Sequence, residues 1–434
     1  MRKLAFAGAL LVATATCGAQ EAAVQLVQAG HLLDQPGRAM RGASTLVIRG
    51  GKVEAVHAGL LDAVRLGLPA DTVVVDLRDK YVLPGLIDSH VHLRSDTGGV
   101  AGMVEGLTRS DAAGAFAALD NARKTLRAGF TTVRNLGDGG GVTLALRDAI
   151  ATGVVQGPRI LDAGSGISAT SGHADGRLGL RESLTDHLEP ENLCDGADAC
   201  RKAVRAQVGR GVDVIKFAVT GGVNSRISAG LGAQMFEDEA RAIIETAHMY
   251  GKKVAVHAHG DDGIAMAVKH GVDSVEHGTL MSDASAKLMA AGGSYYVPTL
   301  STVNGYKERL AADPSAYTGQ VLEKIRWRIG LTGKSLGIAL KHGVKIAYGT
   351  DAGVSKHGRN ADEFEMLVQF GMTPVEAIQA ATVNAADLLG IADQVGTLEP
   401  GKAADLIAVD ADPLADVRTL KQVRYVMRDG QAVF

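Results

Sequence analysis

Histidine is the residue type whose placement in this sequence most clearly indicates chemistry. Seven of the 13 histidines fall at the ends of predicted strands or in the loops directly after them: His90, His92, His173, His257, His259, His277 and His357. The carboxyl ends of parallel strands meet on one face of a sheet, so we expect these rings to converge. Because imidazole is the commonest metal ligand, the convergence predicts a metal site.

His90 and His92 lie two residues apart in the apolar run at 85–93. Alternate residues of a strand point to the same side, so both rings could bind one metal ion. A His-x-His pair alone is as often structural as functional. His257 and His277, each late in a short strand, suit a second metal. His259 either faces the same site to bind substrate or packs beneath the loop, and both interpretations remain open.

Lys216 lies in the middle of the apolar run DVIKFAV. Desolvating an ammonium group there is unfavourable unless it is paired or chemically changed. One interpretation is a buried ion pair. The other is reaction of the neutral amine with CO2, which gives a carbamate, a carboxylate-like group that can bridge two metals. An apolar site favours that neutral amine because burial lowers the pKa of lysine.

Asp351 ends the last of the apolar runs, VKIAYGTDAG. A carboxylate at that strand end could bind metal, orient water and carry protons. The alternative is a cap for the helix that follows.

The middle of the chain, residues 84–392, alternates eight short apolar runs with stretches of helical spacing. This alternation predicts a parallel sheet. Eight such units predict an α/β fold in the form of a (β/α)8 TIM-like barrel, with its active site at the carboxyl ends of the strands.

The two ends of the chain have a different texture. Residues 20–83 and 393–434 are rich in β-branched residues and glycine turns. Chain ends often lie close together. We therefore expect the two segments to build one small β-sandwich domain beside the barrel.

Composition excludes several function classes. The 434 residues carry 45 Lys+Arg against 48 Asp+Glu, a formal net charge of −3. Such a chain lacks the basic surface that nucleic-acid binding needs. Aromatic residues make up only 4%, which disfavours a base-stacking platform. Beyond the amino-terminal run, the sequence predicts no membrane span.

Residues 1–19 resemble a signal peptide: Arg2 and Lys3 precede a short apolar run, and small residues at Cys17 and Ala19 offer a cleavage site. We expect an exported protein, periplasmic or secreted, and leave lipidation of Cys17 open. Cys194 and Cys200 lie six residues apart. An oxidising compartment favours a disulfide between them, and two buried thiols remain the alternative.

Several of these segments, taken together and in order, resemble the metal-dependent amidohydrolase superfamily. They are GLIDSHVHL, DVIKFAVTGG, HAHG, SVEHGT, GTDAG and the closing GTLEPGKAADLIAVDADP. More narrowly, the chain resembles the binuclear Xaa-Pro and Xaa-Arg dipeptidase branch, which is grouped with imidazolonepropionase. It is also similar to the exported bacterial amidohydrolases that split ochratoxin A into phenylalanine and ochratoxin α.

The resemblance implies two zinc ions held by six side chains: His90, His92, Lys216 as its carbamate, His257, His277 and Asp351. It further implies attack of a metal-bridging hydroxide on an amide carbonyl. Asp351 would pass the proton to the leaving nitrogen, and His173 would donate a hydrogen bond to the oxyanion or substrate.

The substrate implied is a small amide or dipeptide that ends in a free amino-acid carboxylate. Arg226, in the loop TGGVNSRISAG, is a candidate for binding that carboxylate through its planar guanidinium, and His259 is a second. A solvated loop charge is the alternative for Arg226. A homo-oligomer is also expected.

Three other functions remain as alternatives. The first is a dipeptidase, such as an Xaa-Pro dipeptidase, with another substrate. The second is a mononuclear deaminase or cyclic-amide hydrolase, against which Lys216 argues. The third is a non-catalytic binding protein on the same barrel.

Overall fold

The computed structural model describes residues 23–188, 192–226, 230–317 and 319–434. The predicted signal peptide and Cys17 lie outside the described residues. The strands are β1 (Val24–Leu32), β2 (Ser44–Arg49), β3 (Lys52–Ala58), β4 (Val73–Pro84), β5 (Leu86–Val91), β6 (Phe130–Asn135), β7 (Arg159–Asp162), β8 (Val214–Ala218), β9 (Lys253–Ala258), β10 (Ser274–His277), β11 (Tyr295–Val297), β12 (Leu406–Val409), β13 (Tyr425–Arg428) and β14 (Gln431–Ala432).

The α-helices are α1 (Gly99–Thr108), α2 (Asp111–Arg127), α3 (Val142–Ala151), α4 (Glu182–Thr185), α5 (Ala197–Gly209), α6 (Glu237–Met249), α7 (Asp261–Lys269), α8 (Asp283–Gly292), α9 (Thr302–Ala312), α10 (Gly319–Gly330), α11 (Lys334–Lys341), α12 (Asp362–Gln369), α13 (Pro374–Gln379) and α14 (Ala385–Leu389). A π-helical turn (Ala380–Asn384) and a 3-10 helix (Val417–Lys421) complete the set. None of the helices in the described ranges has both the length and the apolar character that crossing a bilayer demands.

Both ends of the chain contribute to one seven-stranded sheet, in the order β14-β13-β12-β4-β1-β2-β3. β1 and β4 are parallel, and the other neighbours are antiparallel. The expectation that the two ends come together is therefore met. All of these strands belong to a single hydrogen-bonded sheet, and the two packed layers of a sandwich stay a prediction.

The middle of the chain holds seven parallel strands that alternate with helices, as the α/β pattern predicts. They form two sheets, β5-β6-β7 and β11-β10-β9-β8. Helix α6 shows how the helices cover them: Ala240, Ile243, Ile244 and Ala247 share one face and are fully buried. That spacing is the apolar stripe of a helix packed on a core.

The eighth predicted strand, at 344–353, is an extended segment with isolated bridges rather than a regular strand. It bridges β11 through Tyr296 and Ile346, and it bridges the end of β5 through Val91 and Ala352. Asp351 interrupts its regularity because its φ is +55°, in the left-handed region. At the other junction between the sheets, the Asp213 amide donates to the Asp162 carbonyl at 2.8 Å.

Cys194 and Cys200 form a disulfide, with their Cα atoms 4.9 Å apart. Both residues are buried, and the bridge joins the start of α5 to the segment before it. The sequence left a disulfide and two thiols open, and the structure has the disulfide.

Candidate active site

His90 stands near the end of β5, and its ring is oriented by a carboxylate. Its Nδ1 lies 2.8 Å from Oε2 of Glu276 on β10, and both residues are buried. Although burial opposes it, the charge of Arg134 and the bond to His90 lower the pKa of Glu276 to about 2. An ionised carboxylate only accepts hydrogen bonds, so Nδ1 of His90 is the donor. The Nε2 lone pair of His90 is then free to bind a metal ion.

Behind His90 lies what we call the Arg134 network: Arg134, Ser274, Glu276 and His90. Nη2 of Arg134 lies 2.8 Å from Oε1 of Glu276, and its Nε donates to the Ser89 carbonyl at 2.6 Å. Ser274 Oγ contacts both Arg134 and Glu276. Each buried charge therefore has a charged partner and further hydrogen bonds. Sequence reasoning missed Arg134 and Glu276; the available signal was a charged residue inside each of two apolar strands.

Asp351 brings the carboxylate of the eighth segment to the two histidines of β5. Its Oδ1 lies 3.3 Å from Nε2 of His92 and 3.5 Å from Nε2 of His90. Glycines make this approach feasible. A Cβ at Gly349 would lie 3.0 Å from Cβ of His90, and one at Gly353 would lie 2.7 Å from Cβ of His92.

The pKa values of the two histidines of β5 shift in opposite directions. Burial lowers the pKa of His90 to about 4, so its ring is neutral. Burial also opposes charging of His92, but the hydrogen bond and charge of Asp351 outweigh it and raise the pKa of His92. A metal ion bound between these groups would take the place of that proton.

His277 and His257 lie on the neighbouring strands, with ring centroids 4.7 Å apart. Nδ1 of His277 contacts Thr299 Oγ1 at 2.7 Å. Burial lowers the pKa of both histidines well below the usual value. Both rings are thus neutral at pH 7, which is the form that binds metal. Ligand atoms of His90, His277 and Asp351 all lie within 4.8 Å of one another, close enough to hold one ion.

Three residues around the site have left-handed backbones although none is glycine: His277 with φ +71°, Asp351 with φ +55° and Thr299 with φ +48°. Such conformations are unfavourable, most of all for a β-branched residue such as threonine. Two of these residues, His277 and Asp351, are candidate metal ligands, and the third, Thr299, contacts the ring of His277. This coincidence supports a functional origin for the strain.

Lys216 lies on β8 with its amine buried and, across the described residues, without a hydrogen-bond partner. Burial lowers its pKa to about 8, against the opposite pull of Glu276 and Asp351. Of the two interpretations of Lys216, the buried ion pair is therefore not formed at Nζ within the described residues. An unsatisfied buried amine beside neutral histidines and a carboxylate fits a group modified to a carbamate and a site that holds metal ions.

One cavity of about 510 Å³ collects most of the predicted site residues in its lining. Eight of them are His90, His92, His173, Lys216, His257, His259, His277 and Asp351. His259 makes a 2.8 Å contact from Nδ1 to Thr279 Oγ1. The structure therefore brings together in one cavity the side chains that the strand ends led us to expect there.

His173 stacks on His257, with ring centroids 4.0 Å apart. Its Nδ1 lies 2.6 Å from Ser225 Oγ, and burial lowers its pKa to about 4. Gly222 permits this position, since a Cβ there would lie 2.2 Å from the ring. A neutral ring fixed in this way can donate one hydrogen bond to a ligand if its free nitrogen carries the proton.

Two other singled-out residues are not in the cavity lining. Arg226 is exposed and packs against Gly179. His357 is buried, with Nε2 3.0 Å from the His92 carbonyl and Nδ1 3.1 Å from Thr125 Oγ1. Substrate binding by Arg226 stays a prediction.

The segment between β11 and the eighth run supplies cavity residues that sequence reasoning missed: Thr302, Tyr306 and Arg328. Arg328 lies three residues after the fully buried Ile325 on α10. That spacing places both on one helix face, but no signal in the sequence indicated that this face lines the cavity.

Comparisons with known proteins agree with this geometry. The chain is 31% identical over 428 residues to an ochratoxinase of Aspergillus niger, covering 95% of this chain and 87% of that protein. The crystal structure of A. niger ochratoxinase superposes with a TM-score of 0.81, covering 95% of this chain and 96% of that one.

A second solved structure is a Xaa-Pro dipeptidase with methionine bound in its active site. It has a TM-score of 0.89 and 39% identity, covering 94% of this chain and 99% of that one. An imidazolonepropionase of Deinococcus deserti is 25% identical over 377 residues, 80% of this chain and 82% of that protein.

Residues 81–433 match the model of the amidohydrolase family. This range runs from the end of β4 through both parallel sheets to β14, and it includes every candidate ligand described above. The resemblance drawn from the sequence motifs is confirmed. The chain belongs to the amidohydrolase family and is a hydrolase that acts on C–N bonds.

Proposed function

We propose that this chain is a binuclear zinc hydrolase that cleaves the amide bond to a C-terminal amino acid. Its substrates would include ochratoxin A, split into phenylalanine and ochratoxin α. The observation that carries the proposal is the buried amine of Lys216, which lies among neutral histidines and Asp351 and has no hydrogen-bond partner in the part of the chain that the structure describes. The similarity to an ochratoxinase and to a Xaa-Pro dipeptidase supports the choice of bond.

We infer that the scaffold is a closed eight-stranded barrel. The segment at 344–352 would fill the gap between β11 and β5, and individual backbone hydrogen bonds there support it: Ala347 donates to Tyr296 and Asp351 donates to His90. Contacts between Asp213 and Asp162 would close the other side. Closure would direct all the candidate ligands to one rim.

His90, His92 and Asp351 would hold one zinc ion, and His257 and His277 the other. Lys216, as its carbamate, would be a further ligand. When bound, the two ions would lower the pKa of a water molecule and polarise the amide carbonyl. Glu276 fixes the tautomer of His90, and Thr299 orients the ring of His277.

Two residues would then act on the substrate itself. Asp351 accepts the proton of the attacking water on its carboxylate and delivers it to the amide nitrogen as the C–N bond breaks. This transfer matters because an amine anion is a very poor leaving group. His173, held by Ser225, donates a hydrogen bond to the carbonyl oxygen as negative charge develops there.

The test combines metal analysis with a substrate panel. Elemental analysis of the purified protein should give about two zinc ions per chain. Hydrolysis of ochratoxin A, N-acyl-phenylalanine and Xaa-Pro dipeptides should disappear with a chelator and return with zinc. A carbamate resonance in ¹³C NMR after loading with ¹³CO2 should be absent from Lys216→Ala.

Two outcomes would contradict the proposal. One is a single zinc ion per chain with turnover of cyclic amides only. The other is an unmodified Lys216 in a fully active, zinc-loaded protein. The variant Asp351→Asn separates metal binding from proton transfer, because it should bind metal but lose turnover.

We also propose that the protein is exported after removal of residues 1–19 and assembles as a homo-oligomer. The sequence supports export through its amino-terminal charge and apolar run. Amino-terminal sequencing of the mature protein and analytical ultracentrifugation test the two statements separately.

A further inference from the structure

Arg328 is a buried cation inside the cavity. It is 3% exposed and contributes to the lining. Within the described part of the chain, its only side-chain hydrogen bond runs from Nη2 to the Thr299 carbonyl, at 3.4 Å. No carboxylate of those residues is at ion-pair distance from it. A hydrogen bond of that length is weak, and a buried guanidinium without an anion is unfavourable.

The position of Arg328 is set by its own helix. Lys324, one turn earlier on α10, donates from Nζ to the carbonyls of Gly222 (2.8 Å) and Ser225 (2.6 Å). These contacts fasten α10 to the loop after β8. Ser225 of the same loop also contacts the ring of His173. Residues four apart lie on the same helix face. The guanidinium of Arg328 is therefore directed to the cavity by a fixed support.

Tyr306 and His259 line the same cavity as Arg328. Tyr306 is buried in the cavity lining, and its hydroxyl accepts a hydrogen bond from Asn224 at 3.2 Å. Burial raises the pKa of Tyr306, so the phenol keeps its proton and can donate it. His259 is also in the lining, with its Nδ1 2.8 Å from Thr279 Oγ1.

We propose that Arg328 binds the carboxylate of the substrate's C-terminal amino acid, with the Tyr306 hydroxyl as a second donor. A planar carboxylate matches the two-pronged geometry of a guanidinium. Its charge would neutralise the buried cation of Arg328, which has no carboxylate partner among the residues that the structure describes. The ligand class is an N-acylated amino acid with a free α-carboxylate, and the exposed Arg226 has no part in this contact.

This inference rests on the proposed function, because it names the group that the hydrolase would recognise. It assigns Arg328 to binding, not to bond breaking. Loss of Arg328 should thus raise KM for acidic substrates far more than it lowers kcat.

The first experiment compares two substrates with the same scissile bond. N-acetyl-L-phenylalanine has the free carboxylate, and N-acetyl-L-phenylalaninamide lacks its charge. In Arg328→Gln, we expect kcat/KM for the acid to fall about 10- to 100-fold, and that for the amide to stay within about threefold. Arg328→Lys keeps the charge without the two-pronged geometry and should give an intermediate loss. Arg326→Gln, an exposed arginine on the same helix, is the matched control.

The second experiment does not need turnover. Isothermal titration calorimetry on chelator-treated protein measures binding of L-phenylalanine and of L-phenylalaninamide. We expect the native protein to prefer the acid, and Arg328→Gln to lose that preference. This result would hold even if the protein hydrolysed no amide, so failure of the proposed function and failure of this inference are distinguishable.

Three results would overturn the inference. Equal losses for the acid and the amide in Arg328→Gln would make Arg328 structural. No preference for the acid in the native protein would remove the anion site. A selective loss in Arg226→Gln instead of Arg328→Gln would move the carboxylate contact to the loop after β8. If Arg328→Gln fails to fold, Arg328→Lys carries the same tests.

Discussion

The protein treats its buried cations in two opposite ways. Arg134, in the Arg134 network, is paired with Glu276 and also bonded to Ser89 and Ser274. Lys216 and Arg328, which face the cavity, have no carboxylate partner in the described residues. All three side chains are at least nine-tenths buried.

The difference separates stability from function. A buried charge whose hydrogen bonds are all satisfied holds neighbouring groups in place, here the ring of His90. A buried charge that is left unsatisfied reduces stability and persists where a ligand or a modification completes it. The four predictions below test this division, from the largest expected effect to the smallest.

Lys216→Met should have the largest effect, and on activity alone. We expect kcat/KM to fall more than about 100-fold, since loss of an outer-sphere partner alone lowers activity by 10- to 100-fold. In chelator-treated protein the melting temperature should stay or rise, because an apolar side chain replaces a buried amine that has no hydrogen-bond partner in the described residues. Activity assays and calorimetry measure the two effects, with the exposed Lys202→Met as the control. A large loss of stability with retained activity would show that Lys216 stabilises the fold and does not serve the reaction.

Glu276→Gln should, unlike Lys216→Met, have a large effect on stability. It leaves the Arg134 charge buried without its partner, which destabilises by about 3–5 kcal/mol. Zinc affinity should also fall about 10- to 100-fold, because His90 loses its orienting carboxylate. Urea unfolding and zinc titration measure these effects. The double variant Arg134→Met/Glu276→Leu should recover stability but not zinc affinity; recovery of both would contradict the division.

Glu363 tests a buried carboxyl group that has no cationic partner in the described residues. It accepts hydrogen bonds from the amides of Leu300 (2.9 Å) and Ser301 (2.6 Å), and burial raises its pKa from 4.5 to about 7. Between those values the folded state keeps a proton that the unfolded state releases. The contribution of Glu363 to stability should therefore decrease by about 3 kcal/mol as pH rises from about 4.5 to 7, and then level off.

Thermal unfolding of chelator-treated protein across this pH range, compared with the same series for Glu363→Gln, measures this contribution as the difference between the two curves. Curves that stay parallel would show that Glu363 does not titrate in this range. Chelation matters in this experiment because metal binding has its own pH dependence.

The smallest effect should come from an exposed ion pair. Asp283 lies 2.6 Å from Lys341 and 2.5 Å from His342, and it is solvent-exposed. Because solvent and salt screen such pairs, Asp283→Asn should leave the melting temperature within experimental error at physiological salt. A clear loss would show that exposure alone does not separate weak pairs from strong ones.

Residue spacing was enough to predict the elements and the convergence of ligands. Alternating apolar runs and helices indicated parallel strands, and the ends of such strands must share a face. The motifs holding His90, Lys216 and His277 therefore led to one cavity without knowledge of the packing. Regularity of the eighth strand was overestimated because a left-handed backbone at Asp351 cannot be seen in the apolar pattern.

Which arginine faces the cavity could not be predicted. Arg226 sits in a loop next to a predicted strand end, yet it turns outward. Arg328 comes from a helix whose orientation depends on contacts of Lys324 with a loop about 100 residues earlier. Long-range contacts of this kind leave no trace in local spacing.

The pairing of β12 with β4 has a consequence for biosynthesis. β4 leads through Gly85 directly into β5, which carries His90, and the Gly85 amide donates to the Asp405 carbonyl at 2.8 Å. The strand that carries His90 is thus continuous with a strand whose partner, β12, is synthesised after every candidate ligand from His90 to Asp351. A truncation after α14 would remove that partner, and we expect it to loosen the entry of the chain into β5.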